Sequence, residues 1–273
     1  MSNRESLPNP LQTLGPEPSP DTAPGMPANI TTIVIPGLTH PEGVSSEEPY
    51  GNYTPFMNVL AEASLRPQLA YPDWSQLPDP DYDLFEDWFD RIDEQVGAAL
   101  DRNDQILVMT FSIGWAAFAH WAARNLPLFL KSSQRDSPFV AVLSNSRALF
   151  DEDLYQNLIS RNTFTHPPSD FLTKPSHIQR QLRARIPVVF TQHVPVHFTV
   201  AANERALCHI EAMREGIGHD NRTFGTVQNA DHNPAAHPAY QAEVARLGRL
   251  AVQNRQAIFE ERASTGPQVQ IHF

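Results

Sequence analysis

Apolar positions along the chain alternate between two patterns. Short, continuous runs of β-branched and other apolar residues are typical of strands buried on both faces of a parallel sheet. Between these runs, apolar residues recur at spacings of three and four, which predicts amphipathic helices. The clearest helix is predicted over 84–100, where apolar residues share one face and acidic residues occupy the other. The predicted strands are 31–35, a short one from 68, 106–109, 139–144, one beginning at 194, and 223–228.

The alternation of strands with helical segments predicts one α/β domain over residues 29–273. Such a domain has a mostly parallel central sheet with helices on both faces, and a closing helix is predicted over 238–261. Residues 1–28 are rich in Pro, Ser, Asn and Glu, and we expect them to form a flexible tail because they cannot bury enough apolar surface. The stretch 148–187 interrupts the alternation with short helical pieces around a Pro-rich middle.

Composition and charge limit the partners and the compartment that we expect for the protein. The net charge is −11, and no run of Lys and Arg is present that could neutralise a phosphate backbone, so nucleic-acid binding is disfavoured. Cys208 is the single cysteine and cannot form an intrachain disulfide. No signal segment and no apolar stretch of ~18 residues is visible, so we expect a cytoplasmic protein without a membrane span. The sequence does not specify an oligomeric state.

Two sets of residues in the sequence have side chains of the kinds that bind metal ions. His193 and His197 lie four apart in a predicted strand, where their side chains would be ~13 Å apart and could not share one ion. Asp79, Asp81 and Asp83 alternate like calcium ligands, but the glycine and the terminal glutamate of such a loop are missing. No glycine-rich nucleotide-binding motif is present. We therefore expect neither a metal nor a cofactor.

The strongest chemical signal is the segment Thr110-Phe111-Ser112-Ile113-Gly114, which joins a buried strand to an Ala-rich helix. A serine at a sharp strand-to-helix turn is held in a strained conformation with its hydroxyl exposed above the sheet. Such a turn is crowded, so the residues two before and two after the serine must be small. The alternative interpretation is an ordinary buried strand followed by a helix that Ser112 caps.

This segment resembles the nucleophile elbow of the α/β-hydrolase superfamily, usually Gly-x-Ser-x-Gly, from which Thr110 departs. The resemblance implies the α/β-hydrolase fold, with 148–187 as a lid over the active site. It also implies an oxyanion hole formed by the backbone N–H groups of Leu38 and Ile113. Leu38 follows Pro36-Gly37 at the end of the first predicted strand, where an ordinary Pro-Gly turn is the alternative.

The resemblance further implies a triad of Ser112, Glu204 and His232. Glu204 falls where superfamily members usually have the aspartate of Gly-x-x-Asp, although the same carboxylate could simply favour the first turn of a helix. His232 lies on the loop after the last predicted strand, and His237 is the fallback. The order Ser, acid, His along the chain is typical of this fold.

The implied activity is that of a serine hydrolase acting on an ester or thioester of a small or apolar acyl compound, through an acyl-enzyme. The expected partner is this small-molecule acyl substrate. Two alternatives stay open. One is a biosynthetic acyltransferase or thioesterase that shares the triad. The other is a non-catalytic, α/β-hydrolase-like binding protein, which the departures at Thr110, Ala201 and Glu204 favour.

Overall fold

The computed structural model describes residues 30–37, 53–73, 76, 81–130, 137–145, 194–201, 222–227 and 238–265. Six strands in these ranges form one sheet in the order β2-β1-β3-β4-β5-β6, and each neighbouring pair is parallel. The strands are β1 (Ile30–Ile35), β2 (Pro67–Leu69), β3 (Gln105–Phe111), β4 (Phe139–Asn145), β5 (Val196–Ala201) and β6 (Arg222–Val227). The parallel sheet predicted from the apolar runs is confirmed.

Five helices are described: α1 (Tyr53–Glu62), α2 (Leu84–Asp101), α3 (Gly114–Arg124), α4 (Leu126–Leu130) and α5 (Pro238–Thr265). The sequence pattern placed the end of the closing helix at 261, which was wrong by one turn. Helix α4 was not predicted, because five consecutive residues are too few to show a helical period. None of the helices in the described ranges is long and apolar enough to cross a membrane.

Two apolar cores lie on opposite faces of the sheet. On one face, α2 and α3 pack against β1 and β3, with Trp88, Phe118 and Trp121 fully buried. On the other face, α1 and α5 cover the sheet, and Phe56, Val244 and Leu247 are buried there. Strands covered on both faces must be apolar at nearly every position. This explains why β1, β3 and β4 were recognisable as continuous apolar runs.

The amino-terminal edge of the sheet is held by a buried carboxylate. Asp104 accepts hydrogen bonds from Thr31 Oγ1 at 2.7 Å and from Arg102 Nε at 2.8 Å. Burial alone would raise the pKa of Asp104, but these hydrogen bonds, with the charges of Arg102 and Arg66, hold that pKa below its ordinary value. The cluster ties β1 to the turn before β3, at the edge opposite to the predicted active site.

Several sequence predictions fall outside the described residues. These include the tail over 1–28 and the lid over 148–187.

Candidate active site

Ser112 lies at the junction of β3 and α3 with a backbone φ of 48°, in the left-handed region. A positive φ is uncommon for a residue with a side chain, and holding such a residue in this conformation costs about 1–3 kcal/mol. Ile113, in a right-handed conformation and without a side-chain capping bond, occupies the N-cap of α3. Ser112 is therefore not the N-cap of this helix, and its half-buried side chain follows a sharp turn of the backbone.

Two glycines allow the backbone to approach this turn closely. A Cβ placed on Gly114 would lie 2.5 Å from the carbonyl oxygens of both Ile35 and Pro36, at the end of β1. A Cβ placed on Gly37 would lie 2.8 Å from Ser112 Cβ and 3.6 Å from Ser112 Oγ. No side chain fits at either position without a shift of the neighbouring atoms. The loop after β1 is thus in direct contact with the predicted nucleophile.

The last residue of β4 supports the turn from the other side. The Ser112 N–H donates to the backbone oxygen of Asn145 at 3.1 Å. The Asn145 side-chain amide donates to the backbone oxygens of Thr110 at 3.3 Å and of Leu143 at 3.2 Å, and the residue is fully buried. No role for this residue is predicted from the sequence. The available signal was its place at the end of the strand that follows the elbow along the chain.

A role for Tyr53, the first residue of α1, is likewise not predicted from the sequence. Its hydroxyl accepts a hydrogen bond from Gly37 N–H at 2.9 Å in a buried position. Its ring meets the ring of Phe111 edge-on, with centroids 5.5 Å apart. No local pattern in the sequence marks Tyr53, because both contacts are with distant parts of the chain.

Thr110, the departure from the usual glycine, is accommodated inside the sheet. It pairs with Ile35 of β1 and Ser144 of β4, and it is fully buried. A β-branched side chain is favourable in such a strand. Within the described residues its hydroxyl has no hydrogen-bond partner, and neither has that of Ser144. Each of these unpaired groups costs about 1–3 kcal/mol of stability.

Of the other predicted site residues, only one is among those that the structure describes. Ile113 is described and directly follows Ser112. Leu38, Glu204 and His232 lie outside the described residues. Leu38, Glu204 and His232 follow β1, β5 and β6, respectively, along the chain. Because all described strands are parallel, these three strands end at the same edge of the sheet as β3.

His197, one of the two histidines considered above as metal ligands, is half-buried. It lies in β5 between Leu143 of β4 and Thr223 of β6. Desolvation lowers the pKa of its imidazole to about 4, so the neutral form is favoured. In the described part of the chain, no group of three or more His, Cys, Asp or Glu side chains is arranged to hold a metal ion.

Comparison with known proteins gives a likeness in structure but not in sequence. No protein-family profile and no curated protein matches the chain. Carboxyl esterase 2 from the fungus Tuber melanosporum is 10% identical with a TM-score of 0.54, covering 84% of this chain and 78% of its own. A candidate hydrolase from Agrobacterium vitis is 12% identical with a TM-score of 0.51, covering 84% and 91%.

A candidate esterase from Staphylococcus aureus is 13% identical with a TM-score of 0.50, covering 84% of this chain and 75% of its own. At such low identity these likenesses concern the fold. They agree with the parallel sheet and with the helices on both of its faces. The chain has the α/β-hydrolase fold.

Proposed function

We propose that the protein is a serine hydrolase that cleaves an ester or thioester of a small or apolar acyl compound. The observation that carries this proposal is the left-handed backbone of Ser112 at the strand-to-helix turn, in contact with Gly37. A strained serine persists only where the surrounding structure holds it. Here three separate elements do so: the end of β1, the end of β4 and the start of α3.

In the proposed mechanism, Ser112 Oγ attacks the carbonyl carbon of the substrate while His232 takes its proton. Glu204 orients the imidazole and stabilises its charged form. The N–H groups of Leu38 and Ile113 bind the oxygen that becomes negative, at about 3 kcal/mol per donor. His232 then protonates the departing alcohol or thiol. In the second half, His232 deprotonates a water molecule that attacks the acyl-enzyme, which releases the acid and restores Ser112.

The neighbours in structure support the reaction class, since carboxyl esterase 2 of Tuber melanosporum shares this fold. The proposed small or apolar acyl portion rests on the sequence resemblance alone, because the aromatic residues beside the elbow, Phe111 and Trp115, are packed inside the two apolar cores. We further propose that the protein acts in the cytoplasm on a small-molecule substrate and needs no cofactor.

The test is labelling with a fluorophosphonate probe, which reacts only with an activated serine. We expect the wild-type protein to be labelled, and we expect Ser112→Ala to abolish labelling because the attacking oxygen is gone. His232→Ala should slow labelling by about 10³-fold or more, because the hydroxyl loses its base. Glu204→Ala should slow it less.

Ser64 provides a matched control. It has a φ of 61° like that of Ser112, but it lies in the exposed turn between α1 and β2. Ser64→Ala should therefore keep wild-type labelling. A folded wild-type protein that is not labelled would contradict the proposal and favour a non-catalytic binding protein. Labelling followed by a panel of acyl esters and thioesters, with and without acceptor alcohols, separates hydrolysis from acyl transfer.

A further inference from the structure

The loop that follows β1 is anchored by the hydroxyl of Tyr53. The buried hydrogen bond from Gly37 N–H to Tyr53 Oη, at 2.9 Å, connects the end of β1 to the start of α1. Buried backbone N–H groups are nearly always paired, and a pair of this kind fixes the orientation of its peptide unit. The peptide between Pro36 and Gly37 therefore has its orientation set by the tyrosine.

This peptide is next to the proposed nucleophile. Gly37 approaches Ser112 so closely that an added Cβ would lie 2.8 Å from Ser112 Cβ. Gly37 N–H is already taken by Tyr53, so this group is not a donor to the substrate. The next donor along the chain is the N–H of Leu38, which the proposed function places in the oxyanion hole. Because Leu38 is the next residue along the chain, a displacement of Gly37 also displaces this proposed donor.

The strand that carries the serine also fixes the tyrosine ring. Phe111, directly before Ser112, meets the rings of both Tyr53 and Phe56 edge-on, with centroids 5.5 and 5.2 Å apart. Such edge-to-face contacts hold aromatic rings in defined positions. Tyr53 thus contacts β3 through its ring and the loop after β1 through its hydroxyl, and each contact is made to a residue next to Ser112.

We infer that Tyr53 is a positioning residue, which sets the oxyanion side of the active site relative to Ser112. The inference rests on the proposed function, because it concerns the same serine. It assigns the tyrosine no contact with substrate. Its effect is on the transition state, since the placement of oxyanion donors matters most where negative charge develops.

The direct test is Tyr53→Phe, which keeps the ring contacts with Phe111 and Phe56 but removes the hydroxyl. We expect the rate constant for fluorophosphonate labelling to fall about tenfold or more, because a misplaced donor stabilises the transition state less well. On an ester that the wild-type protein hydrolyses, kcat should fall by a similar factor while KM changes less than about twofold.

Thr31→Val is the matched control. It also removes a buried hydroxyl, which donates to Asp104 and accepts from Arg102 Nη2 at 3.2 Å, at the opposite end of β1 and roughly 20 Å from Gly37. It should lower the melting temperature without slowing labelling. If Tyr53→Phe does not fold, 3-fluorotyrosine at position 53 weakens the hydroxyl as an acceptor while keeping its shape, and labelling should slow by a smaller factor.

The outcomes separate the two claims. Labelling of the wild-type protein that Ser112→Ala abolishes, together with slow labelling of Tyr53→Phe, supports both. Labelling of Tyr53→Phe at the wild-type rate, or slowing equal to that of Thr31→Val, overturns the role of Tyr53 but leaves the proposed function standing. A folded wild-type protein without labelling overturns both.

Discussion

At the scale of single residues, the site depends on how closely backbone can approach backbone. Gly114 lies against the carbonyl oxygens of Ile35 and Pro36, and Gly37 lies against the Ser112 side chain. The two glycines differ in what a methyl group would meet. At Gly114 it would meet fixed backbone, whereas at Gly37 it would meet the β-carbon of the predicted nucleophile.

Gly114→Ala is therefore expected to be strongly destabilising. The added methyl group would lie 2.5 Å from two backbone oxygens, so β1 and α3 would have to separate. We expect a loss of about 3 kcal/mol or more in the free energy of unfolding, measured by urea denaturation. Gly97→Ala is the control, since its methyl group meets no atom within 4 Å. It should stabilise α2 by roughly 0.5–1 kcal/mol. Equal changes in the free energy of unfolding for the two variants would contradict this prediction.

At the scale of residues, prediction from sequence succeeded where the pattern lies within a few neighbouring residues. The elbow was recognisable because Ser112 and Gly114 lie within a few residues of a strand end and a helix start. Tyr53 and Asn145 could not be recognised in this way. Their roles arise from hydrogen bonds to Gly37 and Ser112, which the fold brings near them from other strands and loops.

At the scale of elements, α5 packs unusually close to the sheet. Gly248 faces three side-chain carbons, and an added Cβ would lie 2.7 Å from Met109 Cε, 3.1 Å from Leu65 Cδ1 and 3.2 Å from Leu107 Cδ2. Because Gly248 has no side chain, α5 can pack closely against β3, the strand that ends at the predicted nucleophile. The fit of α5 against the sheet thus depends on volume at one position.

Gly248→Val should lower the free energy of unfolding by about 1–3 kcal/mol, because the branched side chain overpacks this contact. Arg249→Val introduces the same residue one position further along the same helix, on its exposed face. It should change stability by no more than about 0.5 kcal/mol. Chemical denaturation of both variants beside the wild-type protein checks this. Similar losses for the two would show that valine weakens α5 wherever it is placed.

Element prediction from sequence was best for strands covered on both faces. β3 and β4 are apolar at nearly every position because helices lie above and below them. Helix α2 was recognisable from its period of buried residues. Boundaries were less accurate, as at the end of α5, since polar residues can continue a helix without leaving an apolar pattern.

At the scale of the whole molecule, a half-buried histidine in β5 couples stability to pH. Desolvation lowers the pKa of His197 to about 4 in the folded protein, against about 6.5 in an unfolded chain. The folded state therefore binds fewer protons than the unfolded state between these values. The stability is fully present above the unfolded pKa, and it is lost as the pH falls toward the folded pKa.

We expect the wild-type free energy of unfolding to fall by up to about 3 kcal/mol more than that of His197→Gln between pH ~7 and pH ~4. Urea denaturation across this range measures the difference. The glutamine variant keeps every other titrating group, so it isolates the histidine. Parallel curves for the two proteins would show that the imidazole is protonated as easily in the folded state as in the unfolded one.

The strand order has a consequence for the protein during its synthesis. β3 pairs with β1 on one side, but its other neighbour, β4, is translated only after α3 and α4. The backbone oxygen that receives the Ser112 N–H belongs to Asn145, the final residue of β4. A nascent chain released by the ribosome before that residue carries the serine without the partner that holds its strained turn. We therefore expect such fragments to be inert toward acyl compounds in the cell, because the turn that carries the serine is held only once β4 has joined the sheet.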